Sequence, residues 1–463
     1  MPLLNRTNYR SNSSANPPSY ALSDVRIGVL HMGLGAFHRA HQAVFFEHAL
    51  RGGNMNYGVC GITQRTSDIA ESLNAQDCLY TVNARDGAGN QPMIVGAIRE
   101  ATFYPRDVAR LLEIAKSPDL RLMTITVSEK AYRPDSDSTL SVPRRIATLL
   151  AARFEAGLPG IAVISCDNLP SNGAVTRMVV TNAIKSQGRN DGFLDWVEEQ
   201  IRFPNSMVDR IVPAITKENI DEFEKAYGYR DLSLITTEPY NEWVIDQDPL
   251  SEELGPVGVR FVSHVEPYEM TKIRIFNGTH STLAYLCQLS GIEYVAQGIV
   301  DPTLAPFITR LQEEELSRSF TPPYDLDPIE YACTIRKRIS NPTLLHRSAQ
   351  IAMDGSQKLP QRLFTPANDL LAAGLPTTRI TLAIAAWLHY LATNAAVSDP
   401  LAPQLQPIAR NRDAAAAVEQ TLRAEQLVTR VDSALLPAIT KWLEKLRCQP
   451  VHEILLELER GSI

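Results

Sequence analysis

The chain has 463 residues, of which 44% are apolar and 21% are charged, and its formal net charge is -7. Chains of this length and composition form soluble globular proteins with two or three well-buried domains. The sequence has neither a basic excess nor a Lys/Arg cluster, which argues against a nucleic-acid partner and against attachment to a membrane surface.

The cellular setting is indicated by the N-terminus, the cysteines and the apolar runs. Residues 1–20 lack the apolar core of a signal peptide and are predicted to be a flexible tail. The six cysteines are scattered singly, without a CxxC pair, which favours buried free thiols and a reducing, cytoplasmic setting. The most apolar later run, residues 380–392, is too short to span a bilayer, so a buried helix is predicted there.

The first half of the chain alternates short apolar runs with helical segments. Continuously apolar runs of this kind are typical of strands in a parallel sheet that is covered on both faces. Such strands are predicted at residues 25–33, 56–63, 91–98, 120–129 and 161–168. Helices are predicted between several of them, for example at residues 39–50 and 108–115. This alternation predicts an α/β, Rossmann-type doubly wound domain over residues 21–264, within which segment 214–264 is ambiguous.

After about residue 265 the strand signals fade and amphipathic helical stripes dominate the sequence. Examples are TLAPFITRLQEEEL, DAAAAVEQTLRAEQLV and HEILLELER. The remainder of the chain, residues 265–463, is therefore predicted to form a mainly helical substrate and catalytic domain.

The glycine-rich segment GLGAFHRAH, residues 33–41, follows a predicted strand and opens a predicted helix, as a dinucleotide site requires. Gly33 permits a tight turn, and Gly35 lets the backbone approach a pyrophosphate at the helix N-terminus. The usual third glycine is replaced by His38, so a merely structural turn is the alternative. The predicted cofactor-binding residues are Gly33, Leu34, Gly35, Ala36, Phe37, His38 and Arg39.

Two further features bear on this site. The spacing of His38 and His41 also suits two zinc ligands on one helix face, but no cysteine or carboxylate completes a set nearby, so no metal is predicted. The acid that usually binds the ribose at the end of the second strand is missing, because Thr63 is followed by Gln64 and Arg65. Arg65 would favour a 2′-phosphate, so the choice between NAD and NADP stays open.

The segment KIRIFNGTH, residues 272–280, fits two structures with different chemical consequences. Asn277-Gly278 is a strong hairpin signal, and a hairpin would point Lys272 and His280 to opposite faces. A helix instead explains the 3,4,3,4 spacing through Ile273, Phe276, His280, Leu283 and Cys287. It would place Lys272, Asn277 and His280 within an arc of about 140°. We therefore predict a helix, despite a cost of roughly 1 kcal/mol for Gly278, which would admit a cofactor or substrate close to the backbone.

These polar residues suit proton transfer and oxyanion stabilisation. Burial lowers the pKa of a lysine such as Lys272 and fits it for work as a general base. The segment SCDNLPSNG, residues 165–173, follows a predicted strand, so Asn168 would lie where α/β proteins place ligands. Amides such as Asn168 and Asn277 can stabilise an alkoxide. The structural alternative is a lysine that reaches water, a core His280 and an Asx-turn at Asn168.

Eight motifs follow one another between about residue 25 and about residue 365. They are HMGLGAFHRAHQAVF, AQDCLYTV, ITVSEKAY, SCDNLPSNG, FPNSMVDRIVP, EPYNEWVI, KIRIFNGTHSTLAYL and IAMDGSQKLPQR. Together they resemble the polyol-specific long-chain dehydrogenases, the mannitol dehydrogenase family that includes fructuronate reductases. The last 90 or so residues add little to the resemblance.

The resemblance implies a Rossmann-type domain that binds NAD, or NADP, and metal-independent catalysis in the helical domain. It implies that Lys272 is the general acid/base and that Asn277 and His280 bind the substrate oxygens. It assigns Asn168 to the developing oxyanion and GAFHR to the pyrophosphate loop. Asp209 is a further candidate, which would support the surroundings of the lysine beside the substrate, although a structural ion pair with Arg210 or another base explains that carboxylate equally well.

The segment HRSAQIAMDGSQKLPQR, residues 346–362, looks closest to that of the fructuronate reductases. Lys358 matches the substrate-binding lysine of the family, and Lys358, Arg362 or Arg347 could pair with a hexuronate carboxylate, unless the arginines are surface residues. The expected function is an NAD-dependent oxidoreductase of a small-molecule sugar acid, interconverting D-fructuronate and D-mannonate. The nearest alternative is a polyol dehydrogenase acting on mannitol or arabinitol by the same mechanism. A non-catalytic nucleotide sensor and a zinc-dependent alcohol dehydrogenase are the alternatives from other classes.

Overall fold

The computed structural model describes residues 1–127, 129–132, 141–188 and 191–461. They form two compact units, Met1–Glu266 and Pro267–Ile463, which we call unit 1 and unit 2. Within the described residues, no helix combines the length and the apolar character needed to cross a membrane.

The described residues of unit 1 form three sheets. Its strands are β1 Ile27–Met32, β2 Gly58–Thr63, β3 Tyr80–Asp86, β4 Gly89–Val95, β5 Ile98–Phe103, β6 Leu122–Ile125, β7 Ala162–Ser165, β8 Ser206–Asp209, β9 Ile235–Thr237, β10 Glu242–Asp246 and β11 Arg260–Val262. The five-stranded sheet has the order β5-β2-β1-β6-β7, and all its strands are parallel. The smaller sheets have the orders β4-β3-β9 and β11-β10-β8. This architecture confirms the predicted α/β doubly wound fold.

Helices cover both faces of the five-stranded sheet. They are α1 Ala36–Ala40, α2 Gln42–Arg51, α3 Asp68–Asn74, α4 Tyr104–Ala115, α5 Val142–Glu155, α6 Asn172–Ser186, α7 Asp191–Gln200, α8 Lys217–Tyr227 and α9 Ser251–Leu254. Neighbouring strand residues belong to different cores, because Val29 and Val59 lie in one apolar cluster whereas Leu30 and Cys60 lie in the other. Two-sided burial is the physical reason why these strands are continuously apolar.

Two predictions for unit 1 need correction in detail. The predicted helix 39–50 is divided at His41, so that α1 ends at Ala40 and α2 begins at Gln42. The predicted strand 91–98 is two strands in different sheets, because the chain leaves β4 at Val95 and enters β5 at Ile98. Between them the Gly96 N–H donates to the Glu47 carboxylate, at 2.8 Å, instead of to a neighbouring strand.

Residues 1–20 are not the flexible tail that we expected, because they pack against the rest of unit 1. Leu4 and Ala15 are fully buried, and both belong to one of its apolar clusters. The Leu4 N–H donates to the Arg230 carbonyl, at 2.9 Å. The Tyr20 hydroxyl donates to the buried Glu47 carboxylate, at 2.6 Å. A few spaced apolar side chains therefore order a segment whose overall composition is polar.

Unit 2 is mainly helical, as predicted. Its helices are α10 Glu266–Thr271, α11 Gly278–Leu289, α12 Val295–Gly298, α13 Leu304–Arg310, α14 Pro328–Ile339, α15 Ser348–Ile351, α16 Gly355–Leu359, α17 Thr365–Ala372, α18 Thr378–Thr393, α19 Ala402–Ala409, α20 Ala414–Leu422, α21 Leu436–Cys448 and α22 Val451–Glu459. Three π-helical segments, Lys272–Asn277, Leu311–Glu315 and Pro360–Phe364, join several of them. Helix α18 packs against α11, α19 and α21, which confirms the predicted buried helix at 380–392.

Candidate active site

The glycine-rich turn lies directly after β1. Gly33 has φ +105°, and a Cβ at this position would lie 1.9 Å from the Thr126 carbonyl oxygen, so only glycine fits. Gly35 has an ordinary φ of -92°, and a Cβ added there would lie 3.8 Å from the nearest atom. The fold of unit 1 therefore requires Gly33, whereas space beside Gly35 is open to a ligand.

A cavity of about 640 Å³ opens beside this turn, within unit 1. Its walls come from the carboxyl ends of the parallel strands, where α/β sheets bind ligands. They include Gly33, Leu34 and Gly35 after β1, Thr63, Gln64, Arg65 and Thr66 after β2, and Thr126 and Val127 after β6. A glycine turn at the edge of such a cavity suits the pyrophosphate of a dinucleotide, because backbone can approach the phosphates closely.

The structure does not bring the side chains of His38 and Arg39 to this cavity. His38 is fully buried and stacks on His31, with ring centroids 3.3 Å apart. Burial and the neighbouring His31 hold the pKa of His38 well below its usual value, so this imidazole is neutral. Arg39 is buried and donates to the Ser233 carbonyl, at 2.6 Å. Both side chains stabilise the fold rather than face phosphate oxygens, which corrects our expectation for these two residues.

The histidines near the turn make contacts of a structural kind. His31 Nδ1 hydrogen bonds with Thr124 Oγ1, at 2.7 Å, and burial lowers its pKa to about 3. His41 Nε2 donates to the Glu242 carbonyl, at 2.8 Å. No group of three or more His, Cys, Asp or Glu side chains in the described part of the chain is arranged to hold a metal ion.

The CDN segment forms a structured turn after β7. Asp167 accepts hydrogen bonds from the Val127 N–H, at 3.0 Å, and from the Tyr132 hydroxyl, at 2.7 Å. The buried Asn172 donates to the Ser206 carbonyl, at 2.7 Å, and accepts from the Ser206 N–H, at 2.9 Å. Asn168 is exposed at this strand end. Asp167 and Asn172 thus hold the turn, on which Asn168 is exposed.

Asp209 is the last residue of β8 and is almost completely buried. Its neighbour Arg210 donates to the Glu238 carbonyl, at 2.8 Å, and to the Ala40 carbonyl, and burial lowers the pKa of Arg210 to about 10. Arg210 therefore uses its donors on backbone carbonyls rather than on Asp209.

The segment 272–280 in unit 2 is helical, which confirms the predicted choice of helix over hairpin. Helix α10, the π-helical segment Lys272–Asn277 and α11 follow one another without interruption from Glu266 to Leu289. The Gly278 N–H donates to the Ile273 carbonyl, five residues earlier, as in a π-turn. Periodicity did not reveal this π-turn, and π-turns are frequent at functional sites.

The π-turn changes which side chains share a face. In a regular α-helix, residues five apart point about 140° away from each other. A hydrogen bond between residues five apart instead brings the second residue close to the side of the first. Lys272 and Asn277 are related in this way, and His280, three residues further, lies about 60° from Asn277. The three predicted catalytic side chains of unit 2 therefore share a narrower face than α-helical spacing gives.

Lys272, Asn277 and His280 are buried but not completely. The exposed fraction is 6% for Lys272 and 8% each for Asn277 and His280. His280 stacks on Phe276, with ring centroids 5.1 Å apart, and His346 approaches it edge-on at 5.4 Å. Among the described residues, no group hydrogen bonds with the buried His280 Nε2. A buried ring nitrogen without a partner is costly, so a ligand oxygen is the expected partner.

Positive charge surrounds His280. Burial lowers its pKa well below the usual value, and His346, Arg362, Arg338 and Lys358 add to this effect. Arg362 donates to Ser281 Oγ, at 3.0 Å, and Lys358 Nζ donates to the Met353 carbonyl, at 2.7 Å. The structure thus brings two of the predicted substrate-binding residues, Lys358 and Arg362, to the surroundings of His280.

Arg347, in contrast, forms an exposed ion pair with Glu293, at 3.2 Å. Gly278 also differs from our expectation, because a Cβ at this position would lie 3.0 Å from the Arg362 carbonyl oxygen. The close approach that this glycine permits is therefore with the chain itself rather than with a ligand.

Sequence reasoning missed two residues near His280. The Arg338 guanidinium lies 4.8 Å from the centre of the Phe276 ring, which itself stacks on His280. His346 packs against His280, and burial lowers its pKa to about 4. Arg338 lies between two of the motifs, and His346 is the first residue of HRSAQIAMDGSQKLPQR, but neither residue type by itself indicates a neighbour of His280.

Known proteins similar to this chain cover both units. Residues 27–254 match the mannitol dehydrogenase Rossmann domain, and residues 264–446 match the mannitol dehydrogenase C-terminal domain. D-mannonate oxidoreductase of Escherichia coli is 35% identical over 82% of this chain and 83% of its own. Mannitol 2-dehydrogenase of Pyrenophora tritici-repentis is 31% identical over 87% of this chain and 77% of its own.

A solved structure shares the fold over nearly the whole length. The ternary complex of Pseudomonas fluorescens mannitol 2-dehydrogenase with NAD and D-mannitol has a TM-score of 0.87, covers 99% of both chains and is 28% identical in sequence. The two domain matches, together with relatives above 30% identity over more than four fifths of the sequence, show that the chain is an oxidoreductase of the mannitol dehydrogenase family.

Proposed function

We propose that the chain is an NAD(H)-dependent oxidoreductase that interconverts a keto sugar acid and its hydroxy form, namely D-fructuronate and D-mannonate. The observation that carries this choice is the positive charge around a neutral, buried imidazole in unit 2. A hexuronate differs from the corresponding polyol by a carboxylate, and a carboxylate requires a cationic partner when it is taken out of water.

The cofactor assignment rests on unit 1. The glycine turn, the open space beside Gly35 and the cavity at the strand ends suit a dinucleotide, and NAD is the cofactor in the ternary complex of the Pseudomonas fluorescens relative. When bound, the nicotinamide supplies or accepts the hydride. The backbone of Gly33, Leu34 and Gly35 would hold the pyrophosphate, and Val127 would face the remainder of the dinucleotide.

The proton transfer is assigned to unit 2. Lys272 is buried, with 6% of its surface exposed, and a lysine amine held beside the substrate hydroxyl can exchange a proton with it as a general acid/base. Asn277 and the neutral His280 would bind the same oxygen, and the lack of a hydrogen-bond partner for His280 Nε2 among the described residues supports this role. We assign Asn168 of unit 1 to the developing oxyanion, because an exposed amide at a strand end can donate to it.

The carboxylate would lie beside Lys358 and Arg362. Both cations influence His280, so they lie near the group that would bind the reacting oxygen. Neutral His346 would add a hydrogen bond, because its Nδ1 is buried and, among the described residues, has no partner. The similarity to D-mannonate oxidoreductase at 35% identity supports the same substrate class.

A polyol dehydrogenase acting on mannitol is the second candidate. It is favoured by the structural likeness to mannitol 2-dehydrogenase, which extends over 99% of both chains. Such an enzyme would use the same lysine and the same cofactor cavity. Only its substrate would differ, because mannitol has no carboxylate for the cations to neutralise.

The deciding experiment is a panel of NADH oxidation assays with fructuronate, tagaturonate, fructose and xylulose. We expect kcat/KM for fructuronate to exceed that for fructose by orders of magnitude. Preference for the neutral sugars would replace the first candidate by the second. Cofactor binding without hydride transfer to any of the four substrates would contradict both candidates.

A matched pair of variants tests the carboxylate site. Lys358→Gln should lower kcat/KM for fructuronate by about 10- to 100-fold, the value of a hydrogen bond to a charged group, and should change fructose turnover little. Lys337→Gln, which alters an exposed lysine on α14, should leave both substrates unaffected. If Lys358→Gln lowered kcat/KM equally for fructuronate and fructose, this lysine would not bind the carboxylate.

A further inference from the structure

The end of β2 carries an unusual set of side chains for a dinucleotide cavity. In this fold the adenosine ribose lies beside the end of the second strand, where a carboxylate binds the ribose 2′-hydroxyl. Here the residues after Thr63 are Gln64, Arg65 and Thr66, and all three line the cavity. The nearest acid downstream, Asp68, begins α3 and is not among the described residues that line it.

Gln64 is held by the protein and so is not available to replace the missing acid. Its side-chain oxygen accepts a hydrogen bond from the buried Arg145 guanidinium. Its amide nitrogen donates to Met32 Sδ, at 3.1 Å. Arg145 in turn stacks on the Tyr104 ring, with its guanidinium carbon 4.3 Å from the ring centre. Both polar ends of Gln64 are therefore occupied by neighbours that are themselves packed.

Arg65 is the charged side chain at this strand end. It is exposed, it lines the cavity, and it forms no ion pair or hydrogen bond with the described residues. Thr66 and Ser141 contribute hydroxyl groups to the same wall, whose described lining residues include no carboxylate. A guanidinium can bind a phosphate through two parallel hydrogen bonds, in bidentate geometry, and neighbouring hydroxyl groups can donate to the remaining oxygens.

We propose that Arg65 binds the 2′-phosphate of NADP(H), so that the chain accepts NADP(H) as well as NAD(H) and binds the phosphorylated form more tightly. This inference rests on the proposed function in one respect, which is that the cavity of unit 1 holds a nicotinamide dinucleotide. It goes beyond that function because it assigns a phosphate-binding residue at the ribose.

The test measures binding of cofactor fragments by isothermal titration calorimetry, without turnover. Wild-type protein is titrated with ADP-ribose and with 2′-phospho-ADP-ribose, and the same titrations are made with Arg65→Ala, Arg65→Asp and Arg26→Ala. Arg26 is the matched control, because it is an exposed arginine paired with Asp119 at the opposite end of the same sheet.

We expect the wild-type protein to bind 2′-phospho-ADP-ribose at least about tenfold more tightly than ADP-ribose, the effect of one hydrogen-bonded charge pair. Arg65→Ala should bring the ratio close to one with little change for ADP-ribose. Arg65→Asp should reverse the preference, and Arg26→Ala should behave as the wild type. The ratio should fall as salt is raised, because exposed charges are screened.

Two outcomes overturn the inference in different ways. Tight binding of ADP-ribose without any preference for the 2′-phosphate, or a preference that survives in Arg65→Ala, contradicts the role of Arg65 alone. Binding of neither fragment contradicts the cofactor assignment and this inference together. Failure to reduce fructuronate with the 2′-phosphate preference intact would refute only the proposed substrate.

Discussion

The two glycines of the cofactor turn should respond in opposite ways to the same added methyl group. Gly33→Ala places a side chain at φ +105°, which costs about 1–2 kcal/mol for a residue other than glycine. Its Cβ would also lie 1.9 Å from the Thr126 carbonyl oxygen, so the ends of β1 and β6 must move apart. Overpacking of this kind adds about 1–3 kcal/mol. We expect the free energy of unfolding to fall by about 2–5 kcal/mol.

Gly35→Ala should be neutral for folding and harmful for binding. At φ -92° alanine is unstrained, and the nearest atom to its Cβ is 3.8 Å away, so stability should change by less than about 0.5 kcal/mol. A pyrophosphate bound against this backbone would meet the methyl group directly. We expect the affinity for ADP-ribose to fall by about tenfold or more, which corresponds to about 1.4 kcal/mol.

The assay combines thermal unfolding with calorimetric titration of ADP-ribose. Each kcal/mol lost from the free energy of unfolding should lower Tm by about 2–4 °C in a domain of this size, so the Tm of Gly33→Ala should fall by about 5 °C or more. Gly157→Ala is the control for backbone strain alone, because Gly157 has φ +67° and nothing lies within 4 Å of its Cβ. If Gly35→Ala binds ADP-ribose like the wild type, the pyrophosphate does not lie at this turn.

Three further predictions concern unit 2. Lys272→Ala should lower kcat by about 10²- to 10⁴-fold, which is the usual contribution of a general acid/base. Calorimetry should show an unchanged affinity for ADP-ribose. Nearly intact turnover in this variant would refute the proton-transfer role of Lys272. Because burial lowers the pKa of His346 to about 4, the folded state binds fewer protons than the unfolded state below about pH 6.5. The contribution of this histidine to stability should therefore be complete above about pH 6.5 and should decline as the pH falls toward 4. Over this range Tm should fall less steeply with pH in His346→Gln than in the wild type. Equal slopes of Tm against pH in the two proteins would refute the lowered pKa of His346. Glu315 is buried and accepts hydrogen bonds from the Arg379 and Ile380 N–H groups, each at 2.8 Å, at the start of α18. In thermal unfolding, Glu315→Ala should lower the free energy of unfolding by about 2–4 kcal/mol, because two buried N–H groups lose their partners. Glu314→Ala breaks only a half-exposed ion pair with Arg379 and should lower it by at most about 1 kcal/mol.

Local patterns carried most of the information about secondary structure. The strands of the parallel sheet were recognisable because burial on both faces leaves continuous apolar runs. The helix through residues 272–289 was recognisable because its apolar stripe has a helical period, which outweighed the hairpin signal of Asn277-Gly278. The order of the eight motifs suggested a family, and the wording of the last motif favoured a sugar acid over a polyol as substrate.

Partners and approach distances depended on the tertiary structure. The apolar run 91–98 was divided between two sheets because Gly96 bonds to Glu47, a residue far away in sequence. His38 and Arg39 follow the glycine turn as phosphate-binding residues would, yet His38 packs against His31 and Arg39 against the Ser233 carbonyl. A side chain's type shows which bonds it can make, and the fold decides which of them it makes.

The α/β and helical halves of the protein, and the chemical types at the site, were thus predictable from the chain alone, because period and composition report burial directly. The π-turn that draws Lys272 and Asn277 toward one face, and the cations that surround His280, became visible only in three dimensions. The cations come from segments distant in sequence from His280, and the π-turn departs from the regular helical period. Hydrophobic periodicity records that a residue is buried but does not record what covers it.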